Sequence, residues 1–200
     1  MGITIGHGIL LIDAEHPGVC SDRSPIELRR GLRAIVERAA EQAGLPAEAL
    51  TAEDRGGGLL VLVAGGLPPL RPFLPNLVDA LRRYNSRCPA LDDRLRLRVS
   101  LHVGRAVVGP DGSTGPDVDR AVRLCRAEAV RRHLFLTPAA PCLVVSSERV
   151  HRAAPLDPAR PVDVVHAEGL DRGWLHLPSV TPARVTPTAV PRLLSVATPR

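Results

Sequence analysis

Nine residues constrain this chain more than any others. Leu95-Arg96-Leu97-Arg98-Val99-Ser100-Leu101-His102-Val103 alternates apolar and polar without a break. A period of two puts Leu95, Leu97, Val99, Leu101 and Val103 on one face of a strand, and Arg96, Arg98, Ser100 and His102 on the other. The segment therefore predicts a half-buried strand. Its apolar face must meet aliphatic partners, because the 200 residues include only two Phe, one Trp and one Tyr. A chain of this length can bury such a core in one domain without covalent staples.

The elements around it follow from local signals. Ile9-Leu10-Leu11-Ile12 is a short apolar run ending at Asp13, which predicts a buried strand. Ser24-Pro25-Ile26-Glu27 is a helix start with a capping box, and Leu28, Leu32, Ile35, Val36, Ala39 and Ala43 follow at helical spacing up to Gly44. Leu50–Asp54 and Leu59–Val63 flank Arg55-Gly56-Gly57-Gly58 as a hairpin. Gly65–Pro72 reads as a loop before a helix over Phe73–Tyr84, and a single helix is expected over Val118–His133. Leu143–Val145 is a strand, Ser147 caps a brief helix, and Val162–Val165 pairs with Trp174–Leu177. Hairpins among interleaved helices predict an α+β fold with a mainly antiparallel sheet. Residues 1–178 form the domain, and the Pro-rich residues 179–200 are expected to be a disordered tail.

Composition narrows the function classes. The net charge is +5, yet all 26 basic residues are Arg. With 20 Pro and 17 Gly, the absence of Lys reflects a GC-rich genome, so abundant Arg says little about phosphate binding. Four Cys without a Cys-x-x-Cys pair exclude a disulfide scaffold and a Cys-rich zinc site, and read as reduced, mostly buried thiols, with Cys88 exposed before Pro89. The N-terminus lacks a signal-peptide pattern, and no apolar run is long enough for a membrane span, so a cytoplasmic protein is expected. Six Arg and two Asp between Arg82 and Arg98 form a basic stretch. No helix-turn-helix, zinc finger or aromatic stacking set accompanies it, so nucleic acid is not the expected partner.

Several segments, in order, resemble a class III nucleotidyl cyclase homology domain. Ile9-Leu10-Leu11-Ile12-Asp13 is similar to the family's first strand, and Glu53-Asp54-Arg55-Gly56-Gly57-Gly58-Leu59 to the hairpin that in the family reads Gly-Asp-Gly. Leu97–Gly104 resembles a strand close to Arg-Ile-Gly-Ile-His-Thr-Gly, and Val118-Asp119-Arg120-Ala121-Val122-Arg123-Leu124 the helix Val-Asn-x-Ala-x-Arg-Leu. The Trp174-x-His176-x-Pro178 ending is similar to a short cytosolic subgroup common in actinobacteria. The likeness spans roughly residues 8 to 178 and implies a ferredoxin-like α+β sandwich that works as a head-to-tail dimer.

The family joins a ribose 3′-hydroxyl to the α-phosphate with two divalent ions, Mg²⁺ or Mn²⁺, held by two Asp. A partner subunit's Asn orients the ribose, and its Arg stabilises the transition state. By this resemblance Asp13 is the first metal ligand and Arg123 the catalytic arginine. Gly57 stands where the second carboxylate belongs, so that ligand is lost. Asp119 stands at the Asn position, where an ionised carboxylate cannot donate. Glu53 stands at a base-selecting Lys, with Gly112 near the second such position. Glu15, Asp54, Asp111 and Asp117 are the carboxylates that could substitute for the missing one.

Each residue also has a plainer reading. Asp13 can cap a strand end, Arg123 can belong to a solvated face with Arg120 and Arg126, and His102 can face solvent or a helix. Gly56-Gly57-Gly58 lies between strands, so it is a hairpin and not a phosphate loop. Weighed together, the residues favour a catalytically degenerate module that dimerises with itself or with a cyclase-like partner and retains a possible nucleotide ligand. The alternative is an active divergent cyclase, conceivably for a pyrimidine triphosphate. A third reading is a basic adaptor built on Arg82–Arg98 and the tail. No cofactor follows with certainty; Mg or Mn is implied only if nucleotide binding survives.

Overall fold

A computed structural model describes residues 4–15, 24–88, 94–167 and 169–178. The proposed 179–200 tail and Cys20 lie outside the described residues. The strands are β1 (Thr4–Glu15), β2 (Leu50–Asp54), β3 (Gly58–Ala64), β4 (Arg96–Gly109), β5 (Gly112–Thr114), β6 (Cys142–Ser147), β7 (Arg160–His166) and β8 (Gly169–His176). The helices are α1 (Pro25–Gln42), α2 (Leu67–Asn85), α3 (Pro116–Arg126), α4 (Glu128–Phe135) and α5 (Glu148–Ala153). The sheet runs β2-β3-β1-β4-β6-β8-β7, with β5 folded back on β4. Among the described residues β4 and β6 pair in parallel and the other pairings are antiparallel. This is the expected α+β sandwich.

The central strands are apolar on both faces because helices cover both. Leu10 and Ile12 of β1, with Leu59, Val61 and Val63 of β3, join α1 and α2 in the largest core. Ile9, Leu11, Leu60 and Leu62 point the other way, onto Val118, Ala121 and Cys125 of α3. A third cluster places Leu124, Val130 and Leu134 over Leu143, Val145, Val164 and Leu175. In β4 the apolar half of the alternation, Leu97, Val99 and Leu101, joins the first core. Its polar half is therefore carried to the face beneath α3 and α4.

Helix α1 starts as read. The Ser24 hydroxyl accepts from the Glu27 amide at 3.2 Å, and the Glu27 carboxylate accepts from the Ser24 amide at 2.9 Å. Ser147 likewise caps α5 by accepting from the Val150 amide.

Four expectations are corrected. Strands β1 and β4 extend beyond their apolar runs, since pairing with each other satisfies backbone groups that hydropathy does not register. Helix α2 begins at Leu67, inside the expected loop. Pro68 and Pro69 sit in its first turn, where no amide is needed, while Leu70, Phe73, Leu74 and Leu77 keep the stripe packed past Pro72 and Pro75. The single helix over Val118–His133 is two, broken at an extended Ala127. The break lets Val130 and Leu134 address the third cluster while Val118 and Ala121 address the second. Cys88 is buried, its thiol set against the Tyr84 carbonyl. Burial raises the Cys125 and Cys142 thiols to about 12, so both stay protonated and unreactive. Among the described residues no helix is long and apolar enough to cross a membrane.

Candidate functional site

Strand β1 runs between β3 and β4, and this sets the surroundings of Asp13. Its register partners are Gly58 on one side and Arg98 on the other. The carboxylate is almost fully buried. Its Oδ2 lies 3.1 Å from Arg126 Nε and 3.7 Å from Arg98 Nη2. Among the described residues its Oδ1 has no hydrogen-bond partner, and it occupies the space that a side chain at Gly58 would fill. Arg126, the last residue of α3, also donates to the Arg55 carbonyl at 2.7 Å, which ties the helix end to the β2–β3 turn. The cleft here is lined by Arg55, Arg98, Arg126 and Arg131 together with Asp13 and Gly57.

This donor set does not fit a divalent cation. Mg²⁺ and Mn²⁺ take oxygen ligands, usually more than one carboxylate or phosphate. The cleft offers one carboxylate, already facing two guanidiniums, and Gly57 adds none. Among the described residues no three His, Cys, Asp or Glu side chains gather where a metal could sit.

None of the other carboxylates that could have substituted lines this cleft. Glu15 pairs with Arg96 at 2.8 Å. Asp54 pairs with Arg29 of α1 at 3.4 Å. Asp111 is exposed in the β4–β5 turn. Asp117 accepts from the Arg105 amide at 2.8 Å and faces His102. Glu53, which the resemblance sets at a base-selecting position, accepts from the Ser113 amide at 2.8 Å and pairs with Arg55 at 3.2 Å. A Cβ at Gly112 would stand 3.2 Å from that same carboxylate, so residues 53 and 112 do come together.

Asp119 is exposed on α3. Arg123 is turned onto Asp171 of β8, with Nε and Nη2 each 3.4 Å from Oδ2. Arg120 joins the same carboxylate at 2.9 Å, and His166 stands 3.4 Å from it. The chain thus places Asp13 and Arg123 in separate clusters, each facing its own opposite charges.

Arg96 and Arg98 do not belong to a surface patch with Arg82. Both point beneath α3 and α4, where Arg96 Nη2 donates to the Thr137 carbonyl at 2.9 Å. The signal for this was present: Asp13-x-Glu15 and Arg96-x-Arg98 are matching pairs spaced by two. In an antiparallel register they become cross-strand ion pairs, Asp13 with Arg98 and Glu15 with Arg96. Asp171 carried no comparable signal, because its arginine partners lie 51 and 48 residues away.

His102 is fully buried and helix-facing. Nε2 donates to Asp117 Oδ1 at 3.0 Å, since a carboxylate only accepts. Nδ1 then accepts from the Ser147 hydroxyl at 2.7 Å. Burial lowers the imidazole below its ordinary 6.5, outweighing the opposing hydrogen bond and charge of Asp117. Burial pushes Asp117 upward, but the bonds from His102 and the Arg105 amide leave it below 3.8.

The pH dependence follows in sign. Above pH 6.5 His102 is neutral in both states and the native state is undisturbed. Below 6.5 the unfolded chain takes up the proton first, so stability falls with pH until the folded histidine titrates. Asp117 adds a further loss below 3.8. His102→Gln is expected to flatten the denaturation midpoint just below pH 6.5 and to keep the more acid limb. An unchanged slope would assign that window to other histidines.

No family model and no curated protein sequence matches the chain. Solved structures do. An adenylate/guanylate cyclase/hydrolase from Silicibacter pomeroyi aligns over 90% of this chain and 100% of its own, with TM-score 0.61 and 18% identity. The guanylate cyclase domain of RhGC from Catenaria anguillulae, in complex with GTP, aligns over 86% and 97%, with TM-score 0.58 and 13% identity. The adenylyl cyclase CyaB from P. aeruginosa aligns over 88% and 96%, with TM-score 0.52 and 12% identity. The chain has the fold of a class III adenylate/guanylate cyclase domain.

Proposed function

We propose that this chain is a catalytically degenerate nucleotidyl cyclase-like domain, acting in the cytoplasm as a dimerising binding or regulatory module in signalling or defence. One observation carries the reading: Asp13, the residue at the first metal-ligand position, faces Arg126 and Arg98 in a cleft where Gly57 supplies no second carboxylate. An active divergent cyclase would need another carboxylate beside Asp13, and neither Glu15, paired with Arg96, nor Asp54, in an exposed pair with Arg29, lines the cleft. Arg123, bound to Asp171, would have to be released before it could serve a partner's site.

A second copy, or an intact cyclase-like chain, is the partner this reading favours. Exposed apolar side chains support such a contact. Val165 and Leu170 are cross-strand neighbours at 82% and 57% exposure, and Val107 and Val108 are exposed on β4.

The test is direct. Purified protein is incubated separately with ATP, GTP, CTP and UTP in Mn²⁺, and products are read by mass spectrometry. No cyclic monophosphate is expected with any base. A cyclic product that disappears in Asp13→Asn would overturn the reading.

A further inference from the structure

The cleft beside Asp13 has a volume of about 390 Å³ and carries four guanidiniums against one lining carboxylate. Arg126 and Arg98 neutralise Asp13 from within the protein, so the place of a bound cation is taken by covalently attached charge. The donors are not exhausted by these contacts. Guanidinium has five N–H groups in a planar fork. Arg98 Nε is buried with no hydrogen-bond partner among the described residues. Among the described residues Arg131 pairs with Glu128 on the same helix, in an ion pair 54% and 76% exposed, which holds it weakly. Arg55 is shared with Glu53 and the Ser113 carbonyl, and so forms a fixed wall. Gly56 and Gly57 complete the rim without side chains, which lets a ligand approach the backbone.

Convergent, partly desolvated guanidiniums recognise tetrahedral oxyanions by paired charge-assisted hydrogen bonds. We infer that this cleft binds a phosphate-bearing anion directly on Arg126, Arg131 and Arg98, with no divalent ion between protein and phosphate. The inference rests on the degenerate reading above and names the ligand class of the same site. Binding of this kind weakens with salt and does not require Mg²⁺.

Isothermal titration calorimetry of the full chain with inorganic pyrophosphate, at low salt in EDTA and then in excess Mg²⁺, tests it. Binding in EDTA is expected, with affinity falling about tenfold in Arg126→Gln and again in Arg131→Gln, the loss of one charge-assisted contact each. Arg131 is exposed, so its variant remains informative even if Arg126→Gln perturbs folding, which circular dichroism reports. Binding in EDTA that neither variant weakens places the anion elsewhere and overturns the inference. Absence of binding in both buffers overturns it too, while leaving a metal-free, degenerate domain standing. Binding that appears only with Mg²⁺ overturns both the inference and the degenerate reading.

Discussion

Asp13→Ala is expected to lower the unfolding free energy by about 3–5 kcal/mol, the usual cost of removing one partner from a buried ion pair. The reason lies in Arg98. Its side chain is 12% exposed, and Asp13 is its carboxylate partner across the strand register. Without Asp13, a desolvated guanidinium keeps its charge and loses its counter-ion. Arg126 is 46% exposed and contributes much less to the penalty. Asp13→Leu combined with Arg98→Met is expected to recover most of the loss, because an apolar pair of similar volume avoids the desolvation cost altogether. Guanidinium titration of the two variants decides the matter. A metal-ligand aspartate in the metal-free protein would behave oppositely, because removing an uncompensated buried carboxylate relieves strain. Asp13→Ala unfolding at or above the wild-type midpoint would therefore show that the arginines do not compensate Asp13.

Phe73→Ala is expected to cost a further, independent 3–5 kcal/mol, roughly 10 °C or more in melting temperature for a domain this size. Phe73 is fully buried in the largest core, among Leu, Val and Ile side chains. A chain with so few aromatics has no other ring of that size to close the gap between α2 and the sheet. Phe73→Leu is expected to lose only a fraction of this, because a leucine fills part of the volume. Equal losses for the two variants would mean that the ring's shape, and not its volume, sets the cost.

How much was legible beforehand varies by element. The Leu95–Val103 alternation placed β4 and assigned its two faces, because strand periodicity is local. The Ser24–Glu27 box placed the start of α1 for the same reason: every atom of the cap lies within four residues. Boundaries that depend on partners were misjudged. The ends of β1 and β4 are set by pairing with each other, and the break at Ala127 by two separate apolar clusters beneath one amphipathic stripe. Helix α2 passed through Pro72 and Pro75 because tertiary packing of Leu70, Phe73 and Leu77 outweighs two lost amide bonds.

The candidate site divides along the same line. The amino-acid sequence by itself determined the fold class, and it showed a glycine at 57 and an acidic residue at 119, since these are matters of residue identity in an ordered set of motifs. It could not tell where charges go. Asp13 and Arg126 are 113 positions apart, and Arg123 and Asp171 are 48 apart. Only the tertiary structure decided that Arg98 and Arg126 meet Asp13, that Arg123 turns to Asp171, and that His102 is sealed between Ser147 and Asp117. The physical reason is that periodicity acts over a few residues, whereas an ion pair acts through space and exists only once the sheet order and register have brought its two ends together.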